Sequence, residues 1–348
     1  MQNPKISVLI PSYNSIKYIQ EALESVQKQS LKDIEILCID AYSNDGTLEF
    51  LQEKAKEDER IKLILSSKKS LGYQLNLGFD NACGEYVSIV ESDDYVKEDM
   101  CEKLYNLALK TKCEVIKADM IKFTRKKRQK NIYRSIYDEK DLYEKILDKK
   151  HKNSLAKHSW TINQSAIYKL DFIRKFKIRA NESEGASYQD CALWILFIFL
   201  APSIYLHPEA FYFYRQDNEN SSIHSKEKVY AVCDEFAFTD SFLNEYKDIK
   251  DELYPAILYR KYVTYWWNFK RIDDKFKEDF LKVFASEFKD ELDKLDPYFF
   301  GKGAIKELKK IIANPVKFYK DYKSPAFKIR KFGARYKNRF LKLIKLKD

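Results

Sequence analysis

Three apolar runs, each closed by polar turn residues, decide the fold: KISVLIPSYN at 5–14, EILCIDAYSNDGT at 35–47 and EYVSIVESDD at 85–94. Each run is of strand length and ends in Pro, Ser, Asn, Asp or Gly, residues that break regular structure and start turns. Helical periodicity fills the intervals, over 16–29, from about 48 to 56, and over 72–82, with a helix following from about 97 to 110. A third strand is expected at 61–65 and a further one at 113–120. Alternation of this kind predicts an α/β fold around a mainly parallel sheet covered on both faces.

Outward from this core the pattern changes. The basic stretch KFTRKKRQKN at 122–131 predicts a loop. The middle of the chain mixes short strand candidates (164–168, 203–206, 210–214) with an apolar helix beginning near Tyr188. From Ser225 helical patterning runs almost to the end. The domains expected are therefore residues 1–225, with a nucleotide-binding half at 1–120 and an acceptor-facing half at 121–225, and a helical region at 226–348.

Composition excludes several classes. With 45% hydrophobic and 33% charged residues among 348, the chain belongs with folded proteins rather than disordered ones. The six cysteines form no CxxC pair and no zinc spacing, and several lie in apolar runs, as buried thiols do. The N-terminus enters a strand directly, leaving no room for a signal peptide, and the apolar run at 192–201 is too short to cross a bilayer. A reducing cytoplasm is the expected location. The net charge of +10 is concentrated at one end, since residues 320–348 carry eleven Lys and Arg against two Asp. Ile329, Phe332, Tyr336, Phe340 and Leu343 recur there at three- and four-residue steps. That pattern is an amphipathic basic helix suited either to an anionic membrane surface or to packing on the protein itself. Charge confined to one tail, without a recognised module, argues against nucleic acid as a partner.

In open α/β sheets ligands bind beyond the carboxyl ends of the strands. Three polar clusters follow the deciding strands: Pro11-Ser12-Tyr13-Asn14, Asp40 to Gly46, and Glu91-Ser92-Asp93-Asp94. Glu91 and Asp93, two apart in extended chain, face one crevice together. Packed carboxylates repel unless a cation or proton compensates them. Mn²⁺ or Mg²⁺, held by one or two carboxylates plus substrate phosphates, fits that need and would stabilise charge on a departing diphosphate. The same Ser92-Asp93-Asp94 would also serve to cap the next helix.

KISVLIPSYN, CIDAYSNDGT and SLGYQLNLGFDNACGEYVSIVESDDYV, in that order, resemble the signature of family-2 glycosyltransferases with the GT-A fold. The resemblance implies a Rossmann-like nucleotide-sugar-binding domain with a mixed central sheet, followed by a helical C-terminal region. By motif, Pro11, Ser12 and Tyr13 would shape the nucleoside pocket and Asp40 would accept a hydrogen bond from the base. Gly72, Gln74 and Asn76 would border the donor, Glu91 and Ser92 would lie along ribose and diphosphate, and Asp93 would be the main metal ligand. Two departures stand out. Ala41 follows Asp40 where many members carry a second acid, and Glu91 replaces the usual first Asp, leaving its contact open between ribose and metal-bound water.

The segment 185–194, with Gln189-Asp190 and Trp194, is similar to the family's E-D-x-x-W region, which makes Asp190 the general base. Its place at a helix start also suits a carboxylate without any chemistry. Tyr212-Phe213-Tyr214-Arg215 looks like the closing segment of the family, with Arg215 on the diphosphate. His207 and His224 are candidates for acceptor or phosphate contacts, and Trp160 and Trp194 for stacking on acceptor sugars or for the core. The resemblance implies an inverting transfer from a UDP-sugar to a glycan or lipid-linked acceptor in bacterial capsule or lipooligosaccharide synthesis, at the inner face of the membrane. The rival readings are a nucleotide-sugar-binding protein without transfer activity and a membrane-surface interaction protein.

Overall fold

The computed structural model describes residues 4–125, 130–219, 221 and 225–324. The basic tail helix expected after Ala326 and His224 lie outside the described residues. The chain divides into two compact units, one of Met1–His224 with Ala231–Ile257, the other of Ser225–Tyr230 with Leu258–Asp348.

The first unit opens with β1 (Ile6–Ser12), α1 (Ile16–Gln27), β2 (Ile34–Asp40), α2 (Thr47–Glu57), β3 (Ile61–Leu65), α3 (Leu71–Asn81) and β4 (Tyr86–Ile89). It continues through β5 (Tyr95–Val96), α4 (Met100–Thr111), β6 (Val115–Thr124), β7 (Lys130–Arg134), β8 (Ile146–Leu147), α5 (Lys152–His158), β9 (Ala166–Lys169), α6 (Leu170–Lys175), α7 (Gln189–Leu200) and β10 (Ile204–Arg215). The strands form one mixed sheet in the order β3-β2-β1-β4-β9-β6-β10-β5, with β7 beside β6 and β8 beside β10. The β3-β2-β1-β4 half is parallel, β9 runs antiparallel to both β4 and β6, and β10 is parallel to β6.

Wholly buried runs such as ISVLIPS and IEILCID are what a parallel sheet covered on both faces requires. Because β2 and β4 flank β1 on opposite sides, the chain reverses its direction of winding between β1 and β4, and a crevice opens at their carboxyl ends. Helix α7, apolar on all sides, lies against this sheet, with Phe197 stacked on Tyr168 at 3.9 Å and edge-on to Phe79 at 6.3 Å. Cys38, Cys101, Cys113 and Cys191 are buried.

Three details differ from the sequence expectation. The two strands expected at 203–206 and 210–214 are one, β10, with register shifts between His207 and Ala210, where Pro208 has no amide to give the ladder. The loop expected at 122–131 contains the end of β6 and the start of β7, an antiparallel pair whose β7 side chains are all exposed and so show no apolar alternation. The two-residue β5, paired with Tyr212 and Phe213, is too short for any periodicity.

The first unit closes with α8 (Ala231–Leu243) and the start of α9 (Lys247–Arg271). The second unit holds the remainder of α9, α10 (Lys277–Phe288), α11 (Lys302–Ala313) and α12 (Pro315–Lys323). Its core is aromatic: Tyr265 contacts Phe280, Phe284 and Phe288, and Trp266 meets Phe269 and Phe318. Among the described residues no helix is long and apolar enough to cross a membrane.

Candidate active site

On the β1–β2 side of the crevice the motif residues are tied to one another. Asp40, fully buried at the end of β2, accepts hydrogen bonds from Ser12 Oγ, Ser43 N and Ser43 Oγ, each at 2.7 Å. Its carboxylate locks the ends of β1 and β2 together. Gln74 donates to the carbonyls of Ser12 (2.8 Å) and Ile39 (2.7 Å), so it too braces this corner from within α3. Asn76 donates to the Ala180 carbonyl and accepts from the Ala180 amide, clamping α3 to the 180–182 loop. A Cβ on Gly72 would lie 1.8 Å from the Asn181 carbonyl oxygen, so only glycine admits this approach. Pro11 is buried, whereas Tyr13 is exposed, with its ring under Lys69 Nζ at 4.6 Å and its hydroxyl accepting from that ammonium at 2.6 Å. Tyr13 thus offers a flat face at the mouth of the crevice.

Beyond β4 the acids gather. Glu91 accepts from Gln164 Nε2 at 2.8 Å, and its amide donates to Tyr212 Oη at 3.0 Å. Burial first, then the charge of Asp93, pushes the Glu91 carboxyl up to about 7, with Asp190 adding to the effect. Ser92 Oγ is 2.8 Å from Ser15 Oγ. Asp93 accepts from Asn218 Nδ2 at 2.7 Å through one of its two carboxylate oxygens. Asp94, almost wholly buried, accepts from Tyr212 Oη and from the Arg215 amide, both at 2.7 Å. Burial raises its pKa well above the usual range.

Arg215 departs from expectation. Its guanidinium donates to the Asp93 carbonyl (2.6 Å) and to Glu21 (2.5 Å), and lies 4.6 Å from the rings of both Tyr18 and Phe123. Its side chain is only 5% exposed. Enclosed in this way, the fork holds the acidic loop from behind instead of reaching a diphosphate.

Asp190 stands in the first turn of α7, two residues after Tyr188, which caps the helix at φ 67°, a region sparsely populated for any side chain but glycine. The loop before it is anchored on the donor side, where the Leu71 amide donates to the Gly185 carbonyl at 3.0 Å and the Gly185 amide to Lys69 O at 2.6 Å. Asn163 Nδ2 donates to the Asp190 carbonyl at 3.2 Å, one residue from the Gln164 that holds Glu91. Burial pushes the Asp190 carboxyl up to about 6, close to the operating range of a general base. Tyr214 hydroxyl ionisation is opposed by burial and then by the charges of Asp94, Asp190, Asp93 and Glu91, so all four carboxylates lie within electrostatic reach of this one hydroxyl.

Among the described residues no group of three or more His, Cys, Asp and Glu side chains forms a ready metal cage. The donor set does fit a hard divalent ion that takes its remaining ligands from phosphate and water: the second carboxylate oxygen of Asp93 and a repelled neighbour, Glu91. His207 sits elsewhere on β10, stacked on Phe211 at 5.9 Å. Trp194 is 1% exposed and packs on Phe199, a core position. Trp160 is partly exposed and meets Tyr214 edge-on at 5.9 Å, beside the crevice. Gln164 carries no spacing signal in the sequence, and the closing segment that contains Tyr212 and Tyr214 gave no role to either; the insertion of β9 and the parallel return of β10 bring them to the acids.

The profile of glycosyl transferase family 2 matches residues 7–170. The chain is 31% identical over 215 residues to the glycosyltransferase GlyG of Streptococcus pneumoniae serotype 4, covering 61% of this chain and 70% of that protein. It is 38% identical over 93 residues to the GalNAc(5)-diNAcBac-PP-undecaprenol beta-1,3-glucosyltransferase of Campylobacter jejuni, covering 26% of this chain and 30% of that one. In fold it is similar to S. aureus TarS 1–349, crystallised in complex with UDP-GlcNAc, with a TM-score of 0.62 at 17% identity over 91% of each chain. With the ordered motifs and this mixed sheet, the chain belongs to glycosyl transferase family 2 and has the GT-A fold.

Proposed function

We propose that the protein transfers a sugar with inversion from a UDP-sugar to a hydroxyl of a glycan or lipid-linked acceptor, in assembly of a bacterial surface polysaccharide such as capsule or lipooligosaccharide. One observation carries this reading: Glu91 after β4 lies within electrostatic reach of both Asp93 in the same loop and Asp190 at the start of α7, and the Asp190 carboxyl is raised to about 6 and that of Glu91 to about 7. The names of the curated relatives support the polysaccharide context, and the complex of TarS with UDP-GlcNAc supports the donor class.

In this mechanism Tyr13 offers its exposed ring to the nucleobase, while Asp40, Gln74 and Asn76 fix the shape of the pocket. Asp93, with Glu91 beside it, would hold Mn²⁺ or Mg²⁺. Such an ion, when bound, supplies positive charge against the donor's diphosphate. Asp190 accepts the proton of the acceptor hydroxyl as that oxygen forms a bond to the anomeric carbon. The anomeric carbon–oxygen bond to diphosphate breaks on the opposite face, and the nucleoside diphosphate leaves with the electron pair. Arg215 acts through Asp93 and Asp94 as a positioning residue. The setting proposed is the cytoplasmic face of a membrane, an inference that rests on the basic sequence after residue 325.

The test is nucleotide release from UDP-, GDP- and dTDP-sugars with Mn²⁺, for the wild type and for Asp190→Asn. Release from a UDP-sugar that Asp190→Asn slows greatly supports the enzyme. Tight UDP binding with no turnover for any donor and acceptor would leave a binding protein instead.

A further inference from the structure

Beside the acidic crevice lies a cationic cluster that the reaction described above does not use. Lys122 pairs in register with Tyr214 of β10 and with Ile132 of β7, and Arg134 follows Ile132 by two residues. In-register neighbours and residues two apart along a strand share one sheet face, so Lys122, Arg134 and Tyr214 project together. Trp160 packs over them, with its ring 4.4 Å from Lys122 Nζ and 5.6 Å from the Arg134 guanidinium, edge-on to Tyr214.

Among the described residues neither cation has a carboxylate partner. Lys122 is partly buried, and its pKa is lowered by desolvation and then by the neighbouring Arg134. Two like charges held together, one of them desolvated, lower the stability of the free protein unless an anion compensates them. The cation–π contacts with Trp160 return part of that energy but leave the repulsion in place. Burial and then the charges of Asp94, Asp190, Asp93 and Glu91 raise the Tyr214 pKa, so Tyr214 adjoins the cationic cluster and lies within electrostatic reach of the acids.

We infer that Lys122, Arg134 and Trp160 form an acceptor subsite for a phosphorylated acceptor. The phosphate lies between the two cations, and the adjoining sugar or polyol lies along Trp160 and Tyr214, presenting its hydroxyl toward Asp190. This placement rests on Asp190 as the base of the proposed transfer. Phosphate is favoured over a carboxylate because its tetrahedral oxygens can engage the guanidinium fork and the ammonium at once, whereas a planar carboxylate that fills the fork has both oxygens committed to it. The phosphate belongs either to a phosphodiester polymer or to a lipid-linked diphosphate.

The experiment is calorimetric titration of the full chain, saturated with UDP and Mn²⁺ so that the donor side is filled. The probes are bis(glycero)phosphate, farnesyl diphosphate, glucuronate and glycerol. At least one phosphate probe is expected to bind about tenfold more tightly than glucuronate or glycerol, a difference of about 1.4 kcal/mol. Preference for the diester identifies a polymer, and preference for the diphosphate identifies a lipid-linked acceptor. Lys122→Gln with Arg134→Gln should abolish that preference while the melting temperature does not fall and UDP affinity holds. Should the double variant fold poorly, exposed Arg134→Gln alone should weaken the preferred probe severalfold, and Trp160→Phe should do so without altering its salt dependence. Equal binding of all four probes, or unchanged phosphate binding by a well-folded double variant, overturns the inference. Loss of UDP binding in the wild type would instead strike at the donor reading, so the two failures remain distinct.

Discussion

The two flanks of the crevice handle polar groups in opposite ways. At the β1–β2–α3 corner each buried polar side chain is matched locally: Asp40 by Ser12 and Ser43, Gln74 by two carbonyls, Asn76 by both backbone groups of Ala180. On the other flank, after β4 and at the start of α7, Glu91 and Asp190 are half-buried; desolvation displaces both protonation equilibria, and neighbouring acids add to the effect at Glu91. Matched groups make a rigid shape, since satisfied buried hydrogen bonds resist rearrangement. Displaced acids hold electrostatic free energy that a substrate or cation can release. One flank sets the form of the pocket and the other its chemistry.

That division is most severely tested at Asp190. Asp190→Asn keeps the size of the side chain and removes the base, so transfer should fall by about 10²–10⁴-fold while UDP binding holds. Steady-state kinetics with calorimetric titration of UDP measures both. A variant that loses UDP binding as fully as turnover would erase the contrast between the flanks. The matching experiment on the other side is Gln74→Ala, which strips two donors from a buried corner and should cost about 1–3 kcal/mol in urea unfolding. Turnover of the folded fraction should change far less than stability does.

The same contrast explains what was legible in the sequence. The parallel half of the sheet was readable because its strands are continuous apolar runs closed by turn residues, as in KISVLIPSYN and EILCID. The acidic loop after β4 was readable because Glu91 and Asp93 lie two apart in one chain segment. Roles were harder to read than positions. Arg215 carries the right chemistry for a diphosphate, yet packing between Tyr18 and Phe123 turns it behind the acids, and no linear spacing encodes that. Gln164 and Asn218 reach Glu91 and Asp93 only through non-local strand pairing. Likewise β7, exposed throughout, has backbone pairing but no hydrophobic pattern to announce it.

A smaller effect follows from pH. Glu91 and Asp190, raised to about 7 and about 6, retain protons in the folded state that the unfolded chain has released. The native state therefore binds more protons between their ordinary values near 4 and the raised ones, and stability from these groups falls as pH rises through that window. Urea midpoints should be higher at pH 5 than at pH 7.5. Added Mn²⁺ with UDP should raise the midpoint more at pH 7.5, where both acids are charged, than at pH 5. An equal rise at both values would mean that the acids and the ion do not share a site.

The finest distinction concerns Glu91, whose contact is either the ion or the donor's ribose. Gln164 donates to the charged carboxylate and holds the Glu91 pKa below where burial and Asp93 alone would set it. Gln164→Leu removes that donor at similar volume, so the pKa must rise further, and the charged form appears only at higher pH. If Glu91 faces the ion, the acid limb of Mn²⁺-dependent nucleotide release moves upward, while the rate at high pH, where Glu91 is ionised in both proteins, stays near that of the wild type. If Glu91 serves the ribose, a protonated carboxyl still accepts and donates hydrogen bonds, and the limb stays with Asp190. An unmoved limb in a stable Gln164→Leu protein would thus take Glu91 out of the cation site and leave Asp93 to hold it with phosphate and water.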